Sequence, residues 1–244
     1  MHQSQLWIRQ TRIFYCHFLR IDPYRNDFRH YLLVTCQPRP NMNCLQLAPE
    51  DMVSMPWKNG RGTSHELAIW PQEAVFARGE GDWRIARASF REGGPFSRFE
   101  GYDRLLVVLA GEGLVLDHGK ACPRRRLRRN EVWRFAGEWD TTALLEGGPI
   151  DDLNILMRRG RAEGSLELLM LGTRRSVEAL EPEHTFLHVV EGACLVRVPG
   201  EDEAFELGVG HSLWVHEARE GEECEVVGLE VGTRVAMARI RTPR

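Results

Sequence analysis

No stretch of this sequence approaches the roughly 20 consecutive apolar residues that a membrane-spanning helix needs, so no membrane partner is expected. The six cysteines, at positions 16, 36, 44, 122, 194 and 224, never form a Cys-x-x-Cys pair. That removes the usual structural zinc and thioredoxin-type motifs. The cysteines read instead as reduced thiols, and a cytoplasmic location is expected. A P-loop is also missing: Lys58 precedes Gly60 and Gly62 instead of following a glycine loop, and no helix pattern comes after. A dinucleotide fingerprint would need a third glycine inside a strand–helix–strand unit, and neither is present. Charge of one sign is lacking too. A net charge of -3 gives no field that would gather nucleic acid. The one basic run, Pro123–Asn130, has no interleaved aromatics and reads as a solvated loop. No nucleic-acid partner is expected.

What the chain has in quantity is short alternating runs punctuated by glycine. In Asp82–Phe90, Trp83, Ile85, Arg87 and Ser89 fall on one face, and Arg84, Ala86, Ala88 and Phe90 on the other. Arg104–Gly119 reads as a hairpin of two apolar arms around Ala110–Gly113. His184–Gly200 repeats that outline: apolar arm, glycine, apolar arm. The repeat predicts two similar all-β units, most economically jelly rolls. The boundaries expected are 42–160 for the first unit and 161–244 for the second, with strands exchanged between units as a variant of that scheme. Residues 1–41 hold six arginines, no lysine and only two acids, Asp22 and Asp27. They are expected to be an N-terminal extension, either disordered or read from an upstream start.

The segments MPWKNGRGTSHELAIWP, DWRIARASFREGGPFSRFEGYDRLLVVLAGEGLVL, RFAGE and DDLNILMRRG occur in one order and spacing. In that order they resemble the HutD/Ves family. The resemblance implies an all-β bicupin, two RmlC-like jelly-roll barrels in one chain. It also implies a bacterial protein associated with histidine utilisation. The copy departs from the family pattern at Arg61, where a glycine is usual, and at His65, where a basic residue is usual.

Cupins often hold a metal with a His-x-His, a glutamate and a later histidine. At the corresponding place stand Ser97, Phe99, Asp103 and Arg104, with no histidine between Gly94 and Gly113. Imidazole-seeking metals would find no ligand set there, so no metal and no cofactor are expected. In the second unit His184 and His188 would share a strand face about 13 Å apart, too far for one ion. They read as surface or half-buried side chains, with a cross-strand pair of His184 and His211 as the variant that would hold a metal.

The candidate ligand-binding residues are Lys58, Asn59, Thr63, Glu66, Arg84, Ser97, Arg104, Asn154 and Arg158. The tight turn would set Lys58, Asn59, Thr63 and Glu66 near the mouth of the first barrel, or Lys58 and Asn59 would only brace it. Arg84 is either a ligand-facing charge or a rim arginine paired with Glu66 or Asp103. Arg104 is an anion clamp or a local partner of Asp103. Asn154 either meets a carboxylate or stabilises a turn. Arg158 and Arg159 point to opposite sides, so one of them at most faces a pocket. Trp57, Trp70, Trp83 and Phe96 read as core. Guanidinium groups suit carboxylates. The expected function is therefore metal-free binding of a small anionic metabolite: urocanate, formylglutamate or formate in type. The role would be regulatory and not enzymatic. The alternative is an isomerase or hydrolase with Glu66 or Asp103 as general base. A homodimer through a sheet edge is the protein partner suggested by fold analogy.

Overall fold

The computed structural model of the chain describes residues 42–57 and 62–243. The 1–41 extension and, in the turn, Lys58, Asn59 and Arg61 lie outside the described residues. The strands are β1 (Asn43–Leu47), β2 (Val53–Pro56), β3 (Gly62–Trp70), β4 (Trp83–Phe90), β5 (Gly94–Pro95), β6 (Tyr102–Ala110) and β7 (Leu114–Asp117). Then come β8 (Arg125–Leu127), β9 (Val132–Ala136), β10 (Thr142–Leu145), β11 (Ile150–Arg158), β12 (Glu163–Leu171) and β13 (Ser176–Ala179). The last are β14 (His184–Glu191), β15 (Cys194–Arg197), β16 (Phe205–Leu207), β17 (Ser212–His216), β18 (Glu223–Gly228) and β19 (Thr233–Arg241).

These strands build two jelly-roll sandwiches. The first pairs a sheet of order β2-β3-β4-β11-β6-β9 with one of order β5-β10-β7-β8. The second pairs β1-β17-β14-β19-β12 with β13-β18-β15-β16. The repeat expected from sequence is a strand-by-strand duplication. In the first unit β6 pairs with β9 and β11, and β7 with β8 and β10. In the second, β14 pairs with β17 and β19, and β15 with β16 and β18. The opening strand β1 adds to β17, so it completes the sheet of the second unit.

The two expected hairpins are not hairpins. Neither β6 and β7 nor β14 and β15 are hydrogen-bonded neighbours; each pair carries the chain from one sheet to the other. The reason is burial on both faces. Strand β6 shows the pattern BiBBBBBBi, with β9 and β11 on its two edges, so β7 has no edge to occupy. Gly111 lets the chain turn there. Its φ is 99°, and a Cβ would lie 2.5 Å from the carbonyl oxygen of Pro149.

The alternation of β6 divides its side chains between two cores. Leu106 and Val108 point into the first barrel beside Leu114, Leu116 and Leu127. Leu105, Val107 and Leu109 point the other way and meet Phe186, Trp214 and Ala236 of the second unit. A third cluster, with Leu187, Val189, Val215, Val235 and Met237, fills the second barrel. His184 and His188 sit on the face of β14 turned to the first unit. They are buried, at 6% and 0% exposed, and not surface or half-buried as the sequence suggested. The strand's sheet is covered on that side by the neighbouring unit, which alternation alone does not reveal. His184 lies opposite His216, while His211 turns its Nδ1 to the Gly208 carbonyl at 3.2 Å. The cross-strand pair of His184 and His211 is therefore not formed.

Candidate functional site

One end of the first barrel is not filled. A cavity of about 510 Å³ opens there, within the range that small-molecule sites occupy. Strand β4 contributes Arg84, Ala86 and Ala88, which the alternation placed on one face. The small alanines leave the space. Strand β6 contributes Arg104, and β11 contributes Asp152, Asn154 and Leu156. Met55, Trp57 and Ser64 come from the β2–β3 arm, and Phe96, Ser97 and Phe99 from the segment after β5.

The polar groups form a connected set. Arg104 is 8% exposed, and its Nε donates to Asn154 Oδ1 at 2.7 Å. Its guanidinium lies over the rings of Phe96, at 4.3 Å, and Phe135, at 5.4 Å, which offsets part of the cost of burying the charge. A guanidinium only donates, so the Asn154 amide must turn its oxygen to Arg104 and its nitrogen away. That nitrogen donates to Asp152 Oδ1. Among the described residues, Nε is the only guanidinium nitrogen of Arg104 with a protein acceptor, so the rest of the fork is available to a ligand. Arg84 also bonds through Nε, but to a carboxylate, which offsets its charge. Its Nε reaches Glu66 Oε2 at 2.6 Å, and it stacks over Phe76 at 5.1 Å.

Burial sets the titration of the pair at the centre. It raises the Asp152 carboxyl to about 7, against the pull of Arg104, Asn154 and the Ala88 backbone. It lowers Arg104 to about 10, with Asp152 opposing and Arg84 adding to the shift. Arg104 therefore stays cationic at neutral pH, and Asp152 sits near its midpoint.

Trp57 and Ser64, which both line the cavity, are held to one another. Trp57 Nε1 donates to Ser64 Oγ at 2.9 Å, and its ring stacks on Phe90 at 5.4 Å. The backbone N–H of Trp57 donates to the Gly62 carbonyl at 2.9 Å. Gly62 is tightly enclosed: a Cβ there would lie 2.8 Å from the Ser89 carbonyl oxygen and 3.0 Å from the Trp57 ring. The glycine is required by close approach between strands and by the indole, not by an unusual φ.

A family model described as HutD matches residues 49–230. The chain belongs to the HutD family. A relative described as an uncharacterized 21.2 kDa protein in the hutC 3' region of Pseudomonas putida is 36% identical over 128 residues. That alignment covers 52% of this chain and 65% of the relative's own length. Among solved structures, HutD from Pseudomonas fluorescens SBW25, in a formate condition, is similar with a TM-score of 0.67 at 26% identity. The match covers 83% of this chain and 100% of that one. A conserved protein of unknown function from Pseudomonas aeruginosa PAO1 is similar in fold, with a TM-score of 0.72 at 22% identity. It too is covered over 100% of its length, and 83% of this chain is matched.

Of the residues singled out in this HutD-family chain, Arg84, Ser97, Arg104 and Asn154 meet at the cavity, with Glu66 attached through Arg84. Thr63 alternates with the cavity-lining Ser64 and is not part of the lining. Arg158 is used elsewhere: it donates to Tyr102 Oη at 2.8 Å and to the Gly79 carbonyl, and braces the loop before β4. Asp103 faces away from Arg104 and pairs with Arg159 at 2.7 Å, so it does not reach the cavity as a base. The sequence reading missed Asp152. The signal was there, because Asp152, Asn154 and Leu156 share the inward face of β11. It also placed Phe96 and Trp57 in the core, whereas both line the cavity while packing against core residues. Among the described residues, no three His, Cys, Asp or Glu side chains are grouped closely enough to hold a metal ion.

Proposed function

We propose that this HutD-family protein binds a small carboxylate at the Arg104 end of the first barrel and serves as a cytoplasmic metabolite sensor or buffer in histidine utilisation. The observation that carries this reading is Arg104 itself. A guanidinium is buried, oriented by Asn154 and by two aromatic rings, and lines a cavity of about 510 Å³ with donors that no described residue takes up. A bidentate donor fork in a water-poor site is the arrangement that carboxylates select. The flanking rings of Trp57, Phe96 and Phe99 suit a flat or unsaturated body, and the hydroxyls of Ser64 and Ser97 add weaker polar contacts. The similar HutD structure was obtained in a formate condition, and formate is the smallest carboxylate. Urocanate, formylglutamate and formate are the ligands proposed.

Calorimetric titration at pH 6 tests the reading. Heat of binding is expected with at least one of the three compounds, and Arg84→Ala should weaken it about tenfold through loss of positive charge and release of Glu66. No heat with any of them would remove the named ligands. Turnover of any of them, lost in Asp152→Asn or Glu66→Gln, would establish an enzyme in place of a sensor.

A further inference from the structure

A carboxyl group stands where a site for anions should least want one. Asp152 is 1% exposed, lines the cavity, and is linked to Arg104 through the Asn154 amide. Arg84 is already neutralised by Glu66. With Asp152 ionised, the two arginines and two carboxylates that the described residues bring to the lining and its margin cancel, and an incoming anion gains no net attraction from them. With Asp152 neutral, Arg104 is left as the uncompensated charge, and the Asp152 O–H becomes a donor beside it.

We propose that Asp152 determines what this site accepts: it takes a monocarboxylate together with one proton, which resides on Asp152 and is donated as an O–H hydrogen bond to the bound carboxylate. The inference rests on the carboxylate reading of the cavity. The step balances simply, since the anion and one solvent proton enter and no other bond forms or breaks. It also defines the ligand class. Among the described residues of the lining, a second ligand carboxylate would find only Arg84, whose charge Glu66 already offsets. Monoanions are therefore favoured over dianions, and of the three ligands proposed above formate and urocanate are favoured over the dicarboxylate formylglutamate.

The groups facing Asp152 support this coupling. Arg104 on β6 favours its ionised form, and Arg84 on β4, the other cation of the lining, is paired with Glu66 on β3. Asp151, its neighbour on β11, disfavours ionisation but is itself tied to Arg87 at 2.6 Å. His118, which also senses the Arg104 charge, has its two ring nitrogens occupied by Thr141 and Trp133, and burial pushes its titration down. It is therefore neutral where Asp152 titrates. Ser64 and Ser97 carry no charge. The burial that holds the carboxyl near 7 in the empty site would be reinforced by a second carboxylate placed against it.

The test uses formate, which does not titrate between pH 6 and pH 9. Calorimetry at pH 8 in phosphate and in Tris, buffers of different ionisation heat, should show uptake of nearly one proton. Affinity should fall about tenfold per pH unit above the Asp152 midpoint. Asp152→Asn, which cannot ionise, should show no such fall and should bind more tightly than the wild type at pH 9. Binding at pH 6 that persists unweakened at pH 9, or a variant with the same pH profile as the wild type, would overturn the inference alone. No heat at pH 6 from formate, urocanate or formylglutamate would sink the carboxylate reading, and this inference with it, whereas binding of formylglutamate alone would overturn only this inference. If urocanate binds and formate does not, the two-buffer measurement is made with urocanate. If the variant misfolds, the two-buffer measurement on the wild type still decides.

Discussion

The two barrels of this chain have the same strand pairings and different insides. In the second, the inward residues Leu187 of β14, Met237 of β19 and Leu213 of β17 are 0% exposed and close the interior with hydrocarbon. In the first, the matching strands β6 and β11 turn Arg104, Asp152 and Asn154 inward at one end, and the interior stays open. Leucine and valine still fill the other end. The function proposed for the chain therefore rests on a few inward positions. The scaffold is common to both units, and only one has exchanged packing for a charged cavity.

Swapping the characters of the two barrels should have the largest effect. Leu187→Arg places an unpaired charge in a filled interior, at an expected cost of about 3–5 kcal/mol. It should unfold the second unit well below the wild-type transition in a thermal melt. Arg104→Met, the reverse exchange, should abolish carboxylate binding while the melting temperature at pH 6 stays within a few degrees, because Asp152 is then neutral as well. If the two variants lose equal stability, the contrast between a filled and a functional barrel is wrong.

Acid should come next, acting through histidines that the second unit places against the first. Burial lowers His184 to about 4 and His188 to about 3. Folded values below the unfolded one mean that the unfolded chain binds more protons. Their contribution is complete above about pH 6.5 and falls by about 1.4 kcal/mol per pH unit for each group as the pH drops towards 4. His188→Gln, which can still bond to Ser212 Oγ, should flatten this dependence in denaturant titrations at pH 7, 6 and 5. Asp152 has the opposite sign. Its raised value costs stability as the pH rises from about 4 to about 7, so Asp152→Asn should gain in melting temperature at pH 8 and not at pH 4.

Gly62→Ala should cost about 1–3 kcal/mol, because the added Cβ must displace the Ser89 carbonyl or the Trp57 indole. It should also weaken ligand binding, since Trp57 lines the cavity. The smallest effect is expected from Arg158→Lys. Loss of the contacts to Tyr102 and Gly79 should lower stability by about 1 kcal/mol and change affinity less than twofold. A larger loss of binding would return Arg158 to the site.

Much of this architecture was legible in the chain. The alternation of Trp83–Phe90 set Arg84, Ala86 and Ala88 on one face and left open whether Arg84 faces a ligand or pairs with Glu66; it lines the cavity and makes that pair. The duplicated pattern of arm, glycine and arm gave two similar units. What alternation cannot show is which strand lies next to which. The Arg104–Gly119 segment looks like a hairpin because both arms are apolar and a glycine turn joins them. Only the edges already occupied by β9 and β11 force the chain across to the other sheet. Burial of His184 and His188 was hidden for a related reason: it depends on one unit covering the other, which no local pattern encodes. Arg158 was misjudged because its strand parity is clear but its reach to Tyr102 is not. Asp152 was passed over because an acid next to a second acid, Asp151, reads as a polar turn until β11 is seen to run through both.

The most direct measurement is calorimetry at pH 6 with formate, urocanate and formylglutamate, on the wild-type protein and on Arg104→Met. A cavity built around Arg104 predicts a saturable heat with at least one of these compounds that disappears in the variant while its melting temperature is kept. Equal binding by the two proteins, or none by the wild type, would contradict the account.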